Sequence, residues 1–215
     1  MTQRITVIDY GMGNLRSVAK AVEHVAGEGD EVLVSDDPEL ILHSDRVVFP
    51  GQGAARDCMA AISDHHLNRA ILEAARSKPF LGICMGQQVL LEFSEENGGT
   101  PLLGLYAGQV RRFPGGTAPD GEAMKIPHMG WNRVHQLHDH PLWQGIPQDS
   151  RFYFVHSYYV DPERKDLAAA TTDYGVNFAS AIAENNLFAV QFHPEKSADA
   201  GLQLLQNFVR WNPIE

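Results

Sequence analysis

The sequence is poor in cysteine, in basic residues and in long apolar runs. Only two cysteines, Cys58 and Cys84, occur among 215 residues, which excludes a disulfide scaffold and a zinc site built from several cysteines. Lysine and arginine total 17 against 27 aspartates and glutamates, for a formal charge of −10. Because nucleic-acid binders need a clustered positive surface, this acidic balance argues against that class. No apolar run approaches the ~18–20 residues of a membrane-spanning helix.

The remaining composition is that of a globular protein. Hydrophobic residues make up 44% of the chain and charged residues 20%. This length predicts a single domain over residues 1–215 with a substantial core. The segment 4–9 has the pattern of a strand, not that of a charged stretch followed by an apolar one. We therefore expect no secretory signal and a cytoplasmic location.

Short apolar segments alternate with helical patterns in the first half of the chain. Strands are predicted at 4–9, 31–34, 46–49 and 80–83, and helices at 15–25, 54–77 (broken near 63–64) and 85–93. Later strands are predicted at 109–113, 124–126, 132–137, 152–159, 167–172, 179–183 and 187–192, before a last helix at about 199–211. This order predicts a three-layer αβα domain with a central, mostly parallel sheet and added antiparallel strands in the second half.

Cys84 stands at a sharp junction between a predicted strand and a predicted helix. Residues 82–86 spell G-x-C-x-G, the thiol counterpart of the G-x-S-x-G nucleophile elbow. Glycine on both flanks removes side chains that would clash in so tight a turn, and a helix N-terminus favours a thiolate. The backbone N–H of Met85 would point towards an oxyanion formed at Cys84. A buried cysteine beside a glycine turn is the alternative interpretation, and Cys58, inside a helical pattern, is interpreted as packing.

His193 is the candidate base. A thiol nucleophile in acyl transfer needs a nearby base, usually a histidine held by a third group. An apolar strand ends at His193, and Pro194 keeps the following chain extended, so that the Glu195 carboxylate can lie on the same side and orient the ring. Taken alone, a surface histidine at a strand end is the better interpretation of His193. Beside Cys84 the catalytic interpretation gains, because the carboxyl ends of parallel strands gather at one edge.

A glycine-bearing segment, Pro50-Gly51-Gln52-Gly53, also follows a predicted strand. Its backbone N–H groups could form half of an oxyanion hole, or the segment could be a simple strand–helix turn. The loop at 9–14 lacks the third glycine of a dinucleotide site, because position 16 is Arg, so nucleotide binding is rejected. The run His138-Asp139-His140 has no evident third ligand nearby, and we expect a solvated loop rather than a metal site.

Together these segments resemble the class I, or triad, glutamine amidotransferases. The matching motifs are PGQG at 50–53, GICMGQQ at 82–88 and FHPE at 192–195, and the likeness covers most of the chain. Further motifs narrow it to the glutamine amidotransferase subunits of imidazole glycerol phosphate synthase, of histidine biosynthesis: IDYGMGNLRSV at 8–18, KIPHMGWN at 125–132, FYFVHSYY at 152–159 and HPEKS at 193–197. The elbow departs from the commoner GICLGMQ, since Met85 and Gln87 occupy its variable places.

The resemblance implies a role for each matching position. Cys84 attacks the side-chain amide of glutamine, His193 protonates the departing ammonia and later activates water, and Glu195 orients His193. Oxyanion and substrate contacts are implied for a group of neighbours: Gly51, Gln52, Gly53, Met85 and Gln88. A second group is implied at the partner surface or the ammonia path: Asn14, His128, Trp131, Tyr153 and Lys196. Trp131 could equally be a core aromatic. The resemblance implies no metal and no organic cofactor.

The length also bears on partners. All 215 residues are used by the expected amidase domain, so the site that consumes ammonia should lie on another chain docked against it. The resemblance names that chain as the cyclase subunit, a (β/α)8 barrel, in a heterodimer. Two alternatives stay open: a glutaminase subunit of another pathway, such as pyridoxal phosphate synthesis, and a non-catalytic binding protein with the same fold.

Overall fold

The computed structural model describes residues 2–116 and 124–213. The first part of the chain alternates strands and helices: β1 (Arg4–Ile8), α1 (Leu15–Val25), β2 (Glu31–Ser35), α2 (Pro38–Leu42), β3 (Arg46–Gly51), α3 (Ala55–Asp64), α4 (Asn68–Ser77), β4 (Phe80–Cys84) and α5 (Met85–Gln88). The remainder is mostly strands: β5 (Phe93–Ser94), β6 (Thr100–Pro101), β7 (Gly108–Arg112), β8 (His128–Arg133), β9 (His135–Gln136), β10 (Arg151–His156), β11 (Tyr158–Pro162), β12 (Ala168–Asp173), β13 (Asn177–Glu184), β14 (Leu187–Val190) and the closing helix α6 (Ala198–Arg210). Among the described residues, no helix combines the length and the apolar character needed to cross a membrane.

A large sheet organises these elements. Its strands β2, β1, β3, β4 and β14 lie side by side in that order, and all are parallel. Beyond β14 the sheet continues through antiparallel pairings to β13, β11 and β7. Strands β8 and β10 form a separate antiparallel pair. The predicted combination of a parallel centre with antiparallel additions is confirmed.

Helices cover both faces of the parallel strands. On one face α1 and α6 pack over a cluster that includes Val7, Ile83 and Val190. On the other face α2, α3 and α4 pack over a cluster that includes Phe49 and Phe80. Successive strand side chains point to opposite faces, so strands buried on both faces must be apolar along their length. The three-layer prediction is therefore confirmed.

The predicted helix at 85–93 is much shorter than expected. α5 ends at Gln88, and Phe93 lies on β5 with 38% of its surface exposed, not inward as predicted. The cause is a set of long-range hydrogen bonds. The carbonyl groups of residues 89–92 accept from backbone N–H groups of residues 102–106, so they are used outside the helix.

The predicted strand at 124–126 is also wrong. Pairing begins only at His128, after Pro127, which has no N–H to give to a ladder. The helical stretch predicted at 54–77 is two helices, α3 and α4, separated at residues 65–67. The five-residue helix α2 was not predicted, because it is too short to show a helical period.

The parallel strands bring three loops to one edge of the sheet. Gly51 at the end of β3 lies directly opposite Cys84 at the end of β4 in the ladder. The next strand, β14, runs parallel to β4 and is followed by Gln191 and His193. The candidate residues, far apart in sequence, thus meet where strands end.

Arg46, at the start of β3, forms hydrogen bonds that anchor the end of α6 to this sheet. Its guanidinium donates to the carbonyl oxygens of Phe208 (3.2 Å) and Trp211, and to the side-chain oxygen of Asn212 (2.6 Å). Its Nε donates to Gln3 Oε1 at 2.6 Å. Because the Arg46 side chain is buried, these acceptors have little water to replace it.

We predict that Arg46→Met lowers the free energy of unfolding by about 1–3 kcal/mol, the cost of leaving buried acceptors unpaired. Arg4→Met is the matched control, because Arg4 forms an ion pair with Glu31 in which both side chains are well exposed. That loss should stay below about 1 kcal/mol. Urea unfolding of both variants measures the difference, and equal losses would contradict the role assigned to Arg46.

Candidate active site

Cys84 occupies a strained backbone conformation. Its φ is 57° and its ψ is −108°, although cysteine has a side chain that disfavours positive φ. It is the last residue of β4 and the residue that precedes α5. Strain of this kind persists only where the surrounding structure imposes it, and it is concentrated at functional sites.

The flanking glycines are required sterically. A Cβ added to Gly86 would lie 1.8 Å from the carbonyl oxygen of Phe49, and one added to Gly82 would lie 2.7 Å from the carbonyl oxygen of Gly86. Both contacts are with backbone atoms that cannot rotate away. The structure therefore has no room for a side chain at either glycine of the G-x-C-x-G pattern, as expected.

His193 and Glu195 form a buried pair. Nδ1 of His193 and Oε1 of Glu195 are 2.8 Å apart, and both side chains are almost wholly shielded from solvent. The backbone of His193 is held as well, because its N–H donates to the carbonyl oxygen of Tyr153 at 2.9 Å. Among the described residues, the other ring nitrogen, Nε2, has no hydrogen-bond partner. The pair therefore presents one unused imidazole nitrogen.

The charge state of His193 depends on its two neighbours. Burial alone would lower its pKa, but the interactions with the neighbouring Cys84 and with the hydrogen-bonded Glu195 outweigh burial and raise the pKa to about 10. His193 therefore carries a proton near neutral pH, which it can give to a leaving group in the cavity.

Cys84 and His193 line the same cavity, whose volume is about 590 Å³. Several residues predicted to contact substrate line it too: Gln52, Gly53, Met85 and Gln88. Gly51 lies behind this wall. A Cβ on Gly51 would meet Tyr10 Oη at 2.2 Å and Met85 Cβ at 2.7 Å. The loop is held from the far side by Cys58, whose thiol donates to the Gln52 carbonyl oxygen at 3.4 Å.

Gln191 is a neighbour of Cys84 that the sequence analysis missed. Its Nε2 donates to Cys84 Sγ at 3.6 Å, and its Oε1 accepts from Gln88 Nε2 at 2.8 Å. Gln88 Nε2 also donates to the carbonyl oxygen of Tyr158 at 3.0 Å. One signal was available, since Gln191 lies two residues before His193 and such positions share a side in extended chain.

His128 and His156 form a second buried pair, opposite each other on β8 and β10. His156 Nδ1 lies 2.8 Å from the carbonyl oxygen of Tyr158, which can only accept, so Nδ1 carries the proton. His156 Nε2 must then accept from His128 Nδ1 at 2.9 Å, and His128 Nε2 accepts from the Asn132 amide at 3.3 Å. His156 lines the cavity, whereas His128 is stacked between Phe154 and Tyr174.

Burial lowers the pKa of both histidines. The pKa of His128 falls to about 4. That of His156 falls to about 3, where the charges of His128 and His193 add to the effect of burial and the hydrogen bond to the Tyr158 carbonyl opposes it. Both rings are therefore neutral near pH 7, in agreement with the alternating donors and acceptors.

The other residues assigned to the partner surface lie on the β8–β10 pair, before α1 and just after Glu195. Trp131 is 49% exposed and contacts Tyr153 edge-on, so it is not a core aromatic. The Lys196 ammonium lies 5.9 Å from the centre of the Tyr153 ring. Asn14 immediately precedes α1, next to Gly13, whose Cβ position would be 3.6 Å from Gly51. His128 differs from the rest because it is buried.

The possible metal pair is not assembled. His140 packs its ring on Phe188 and Trp211 and accepts a hydrogen bond from the Leu142 N–H. His138 and Asp139 are exposed loop residues as expected, whereas His140 is half-buried. Within residues 2–116 and 124–213, no group of three or more His, Cys, Asp or Glu side chains is placed to hold a metal ion.

Comparison with known proteins places this geometry in a family. The model of the family "Glutamine amidotransferase class-I" matches residues 6–211. The chain therefore belongs to the class-I glutamine amidotransferases, which are enzymes.

Individual relatives are more specific. The chain is 60% identical over 211 residues to the imidazole glycerol phosphate synthase subunit HisH of Methylococcus capsulatus, covering 97% of each chain. It is 56% identical over 210 residues to the protein of the same name from Pseudomonas putida, covering 98% of each.

Solved structures share the fold at low sequence identity. The glutaminase domain of Trypanosoma brucei CTPS with bound acivicin superposes with a TM-score of 0.63 at 17% identity, covering 98% of this chain and 95% of that one. A glutamine amidotransferase from Thermotoga maritima gives 0.60 at 18% identity, covering 93% and 79%.

We predict that Gly86→Ala disrupts the elbow. The added methyl group would collide with the Phe49 carbonyl, and overpacking of this kind costs about 1–3 kcal/mol or more of folding free energy. Gly115→Ala is the control, because no described atom lies within 4 Å of its Cβ position. Thermal and urea unfolding compare the two, and a Gly86→Ala protein as stable as the control would contradict the steric requirement.

We also predict an acid-sensitive stability that depends on the histidine pair. In the folded protein the pKa of His156 is below its unfolded value of about 6.5. Its contribution is thus fully present above pH 6.5 and is lost as pH falls towards 3, because the unfolded chain binds the proton first. His156→Gln keeps a donor and an acceptor but removes the titration, so it should lose less stability than wild type between pH 7.5 and pH 5.

Urea unfolding at the two pH values measures that loss. The control is His24→Gln, at an exposed position of α1, which should follow wild type. Equal losses in all three proteins would show that His156 does not contribute to acid sensitivity.

Proposed function

We propose that this chain is the glutaminase subunit of an imidazole glycerol phosphate synthase, acting in histidine biosynthesis. Identity of 60% across 97% of a relative with that name is the observation that carries the choice of enzyme. The match of the family model to residues 6–211 supports one glutamine amidotransferase domain. The cytoplasmic location predicted from the sequence stays a prediction.

The site supports hydrolysis of glutamine through a thioester. Cys84 Sγ attacks the side-chain amide carbon, and the carbonyl π electrons move to oxygen as an oxyanion. The backbone N–H groups of Met85 and of Gln52 or Gly53, which line the cavity, stabilise that charge in this mechanism. His193 is cationic when paired with a thiolate, so its Nε2 proton can pass to the amide nitrogen as the C–N bond breaks and ammonia leaves.

The second half of the reaction reuses the same groups. Water attacks the thioester carbon while His193, now neutral, accepts a proton from it. The C–S bond breaks, its electron pair returns to Cys84, and glutamate is released. Throughout, Glu195 holds the His193 ring through the 2.8 Å hydrogen bond at Nδ1, which fixes the tautomer.

The ammonia has to reach its acceptor without mixing with water, where it would become ammonium. We propose that the acceptor site lies on a cyclase subunit, a (β/α)8 barrel, that docks on the face carrying Met129 and Trp131. These two side chains, 62% and 49% exposed, are the most exposed large apolar groups among the described residues, and they lie two positions apart on one face of β8. Two residues of the cavity wall link it to this face: Val155 lies opposite Met129 in the β8–β10 ladder, and Pro127 immediately precedes β8. The proposed docking face therefore adjoins the cavity.

The proposal predicts that Cys84→Ala abolishes synthesis with glutamine but not with ammonia. In the complex with the cyclase subunit, glutamine-dependent product formation should fall by at least about 1,000-fold, as for loss of a nucleophile in a triad. Ammonia-dependent formation at alkaline pH should be retained, because it needs only the partner's site. A glutamine-like electrophile should label Cys84 of the wild-type chain and leave Cys58 unlabelled.

Each failure has a distinct meaning. Loss of both activities in an assembled complex would contradict the division of labour. Copurification with a different synthase would assign the glutaminase to another pathway. Absence of labelling with the partner bound would favour a non-catalytic binding protein.

A further inference from the structure

We propose that Gln191 is a positioning residue for the nucleophile, acting through the hydrogen bond from its side-chain amide to Cys84 Sγ. The inference rests on the proposed function in that Cys84 is taken to attack the substrate. It assigns a role to a side chain outside the Cys84, His193 and Glu195 set.

The direction of this hydrogen bond follows from a chain of constraints. The carbonyl oxygen of Tyr158 can only accept, so the Gln88 atom 3.0 Å from it must be Nε2. The same Nε2 lies 2.8 Å from Gln191, so the facing atom there must be the acceptor Oε1. The opposite end of the Gln191 amide, which lies 3.6 Å from Cys84 Sγ, is therefore the donor Nε2. A backbone carbonyl thus decides that the sulfur meets an N–H.

Gln191 is held rigidly enough for this role. It is fully buried, and its backbone N–H donates to the carbonyl oxygen of Ser180 at 2.9 Å. It directly follows β14, which pairs in parallel with β4, so it lies beside the strand that ends at Cys84. The amide reaches the sulfur from the neighbouring strand, without help from a mobile surface loop.

An amide donor suits a sulfur that alternates between charged and neutral states. It stabilises the thiolate without supplying a titratable proton, unlike His193. During deacylation, when the C–S bond breaks and the electron pair moves to sulfur, the same N–H stabilises the departing thiolate. Through its Oε1, Gln191 also holds Gln88, which lines the substrate cavity.

Two substitutions separate these contributions. Gln191→Met removes the donor to sulfur and the acceptor for Gln88 while keeping a similar volume. Gln191→Glu keeps an acceptor for Gln88 and replaces the neutral amide donor with a carboxyl group, whose negative charge competes with that of the thiolate. The matched control is Gln87→Met. Gln87 lies on α5 and is equally buried, but its side-chain amide donates to the carbonyl oxygen of Ala189 at 3.4 Å and not to Cys84.

The primary measurement is alkylation of Cys84 by iodoacetamide between pH 4 and pH 9, followed by mass spectrometry. It needs neither glutamine nor a partner chain. Loss of a hydrogen bond to a charged sulfur should move the acidic limb of the rate profile up by about one pH unit, or about tenfold in rate at pH 5. Gln191→Met should show this shift, and Gln87→Met should coincide with wild type.

The second measurement is the glutaminase KM and kcat of the complex with the cyclase subunit. Gln191→Met should raise KM for glutamine, whereas Gln191→Glu should lower kcat with a smaller change in KM at pH 8. Far-ultraviolet circular dichroism and thermal unfolding check that each variant is folded. If Gln191→Met does not fold, the kcat of Gln191→Glu at pH 8 tests the role of Gln191 instead.

The outcomes distinguish the two proposals. An alkylation profile of Gln191→Met within twofold of Gln87→Met at every pH would overturn the role of Gln191. A shifted profile in a protein whose wild-type complex has no glutaminase activity would support the hydrogen bond and contradict the proposed function.

Discussion

The site depends on one backbone constraint, the positive φ of Cys84 at the junction of β4 and α5. A cysteine does not adopt this conformation freely, so the surrounding chain has to impose it. It does so by close approach, with Gly82 and Gly86 packed against backbone carbonyls and Gly51 packed against Tyr10 and Met85. This conformation directs the thiol into the cavity. With an ordinary strand conformation at Cys84, the thiol would point among the apolar residues of the sheet.

Around that fixed sulfur, the other groups come from different parts of the chain. His193 and Gln191 follow β14, the parallel neighbour of β4, and the glycine loop follows β3 on its other side. Parallel neighbours place their carboxyl ends together, so three loops converge without any long insertion. At the opposite end of these strands, the buried Arg46 at the start of β3 anchors the end of α6 through hydrogen bonds from its guanidinium group.

The local patterns of the sequence predicted the parallel half of the fold, because each strand and helix there carries its own periodicity. The triad candidates could be predicted for the same reason: a glycine-flanked cysteine and a His-x-Glu after a strand are short-range signals. The end of α5 could not, because distant N–H groups of residues 102–106 take up its next carbonyl groups. Gln191 was missed because it lies 107 positions from Cys84 in the chain, and the two residues meet only through the pairing of β14 with β4.

The buried imidazole pair likewise depends on a contact between residues far apart in the chain, the register of β8 against β10. No local motif around His128 or His156 predicts that the two residues pair, and only the strand register places them opposite each other. Their alternating donors and acceptors leave two imidazole N–H protons, each in a hydrogen bond and shielded from solvent. Such protons exchange slowly and resonate apart from the amide protons, so the protein has a built-in magnetic resonance reporter. It connects the substrate cavity, which His156 lines, to β8, the strand that carries both His128 and Trp131.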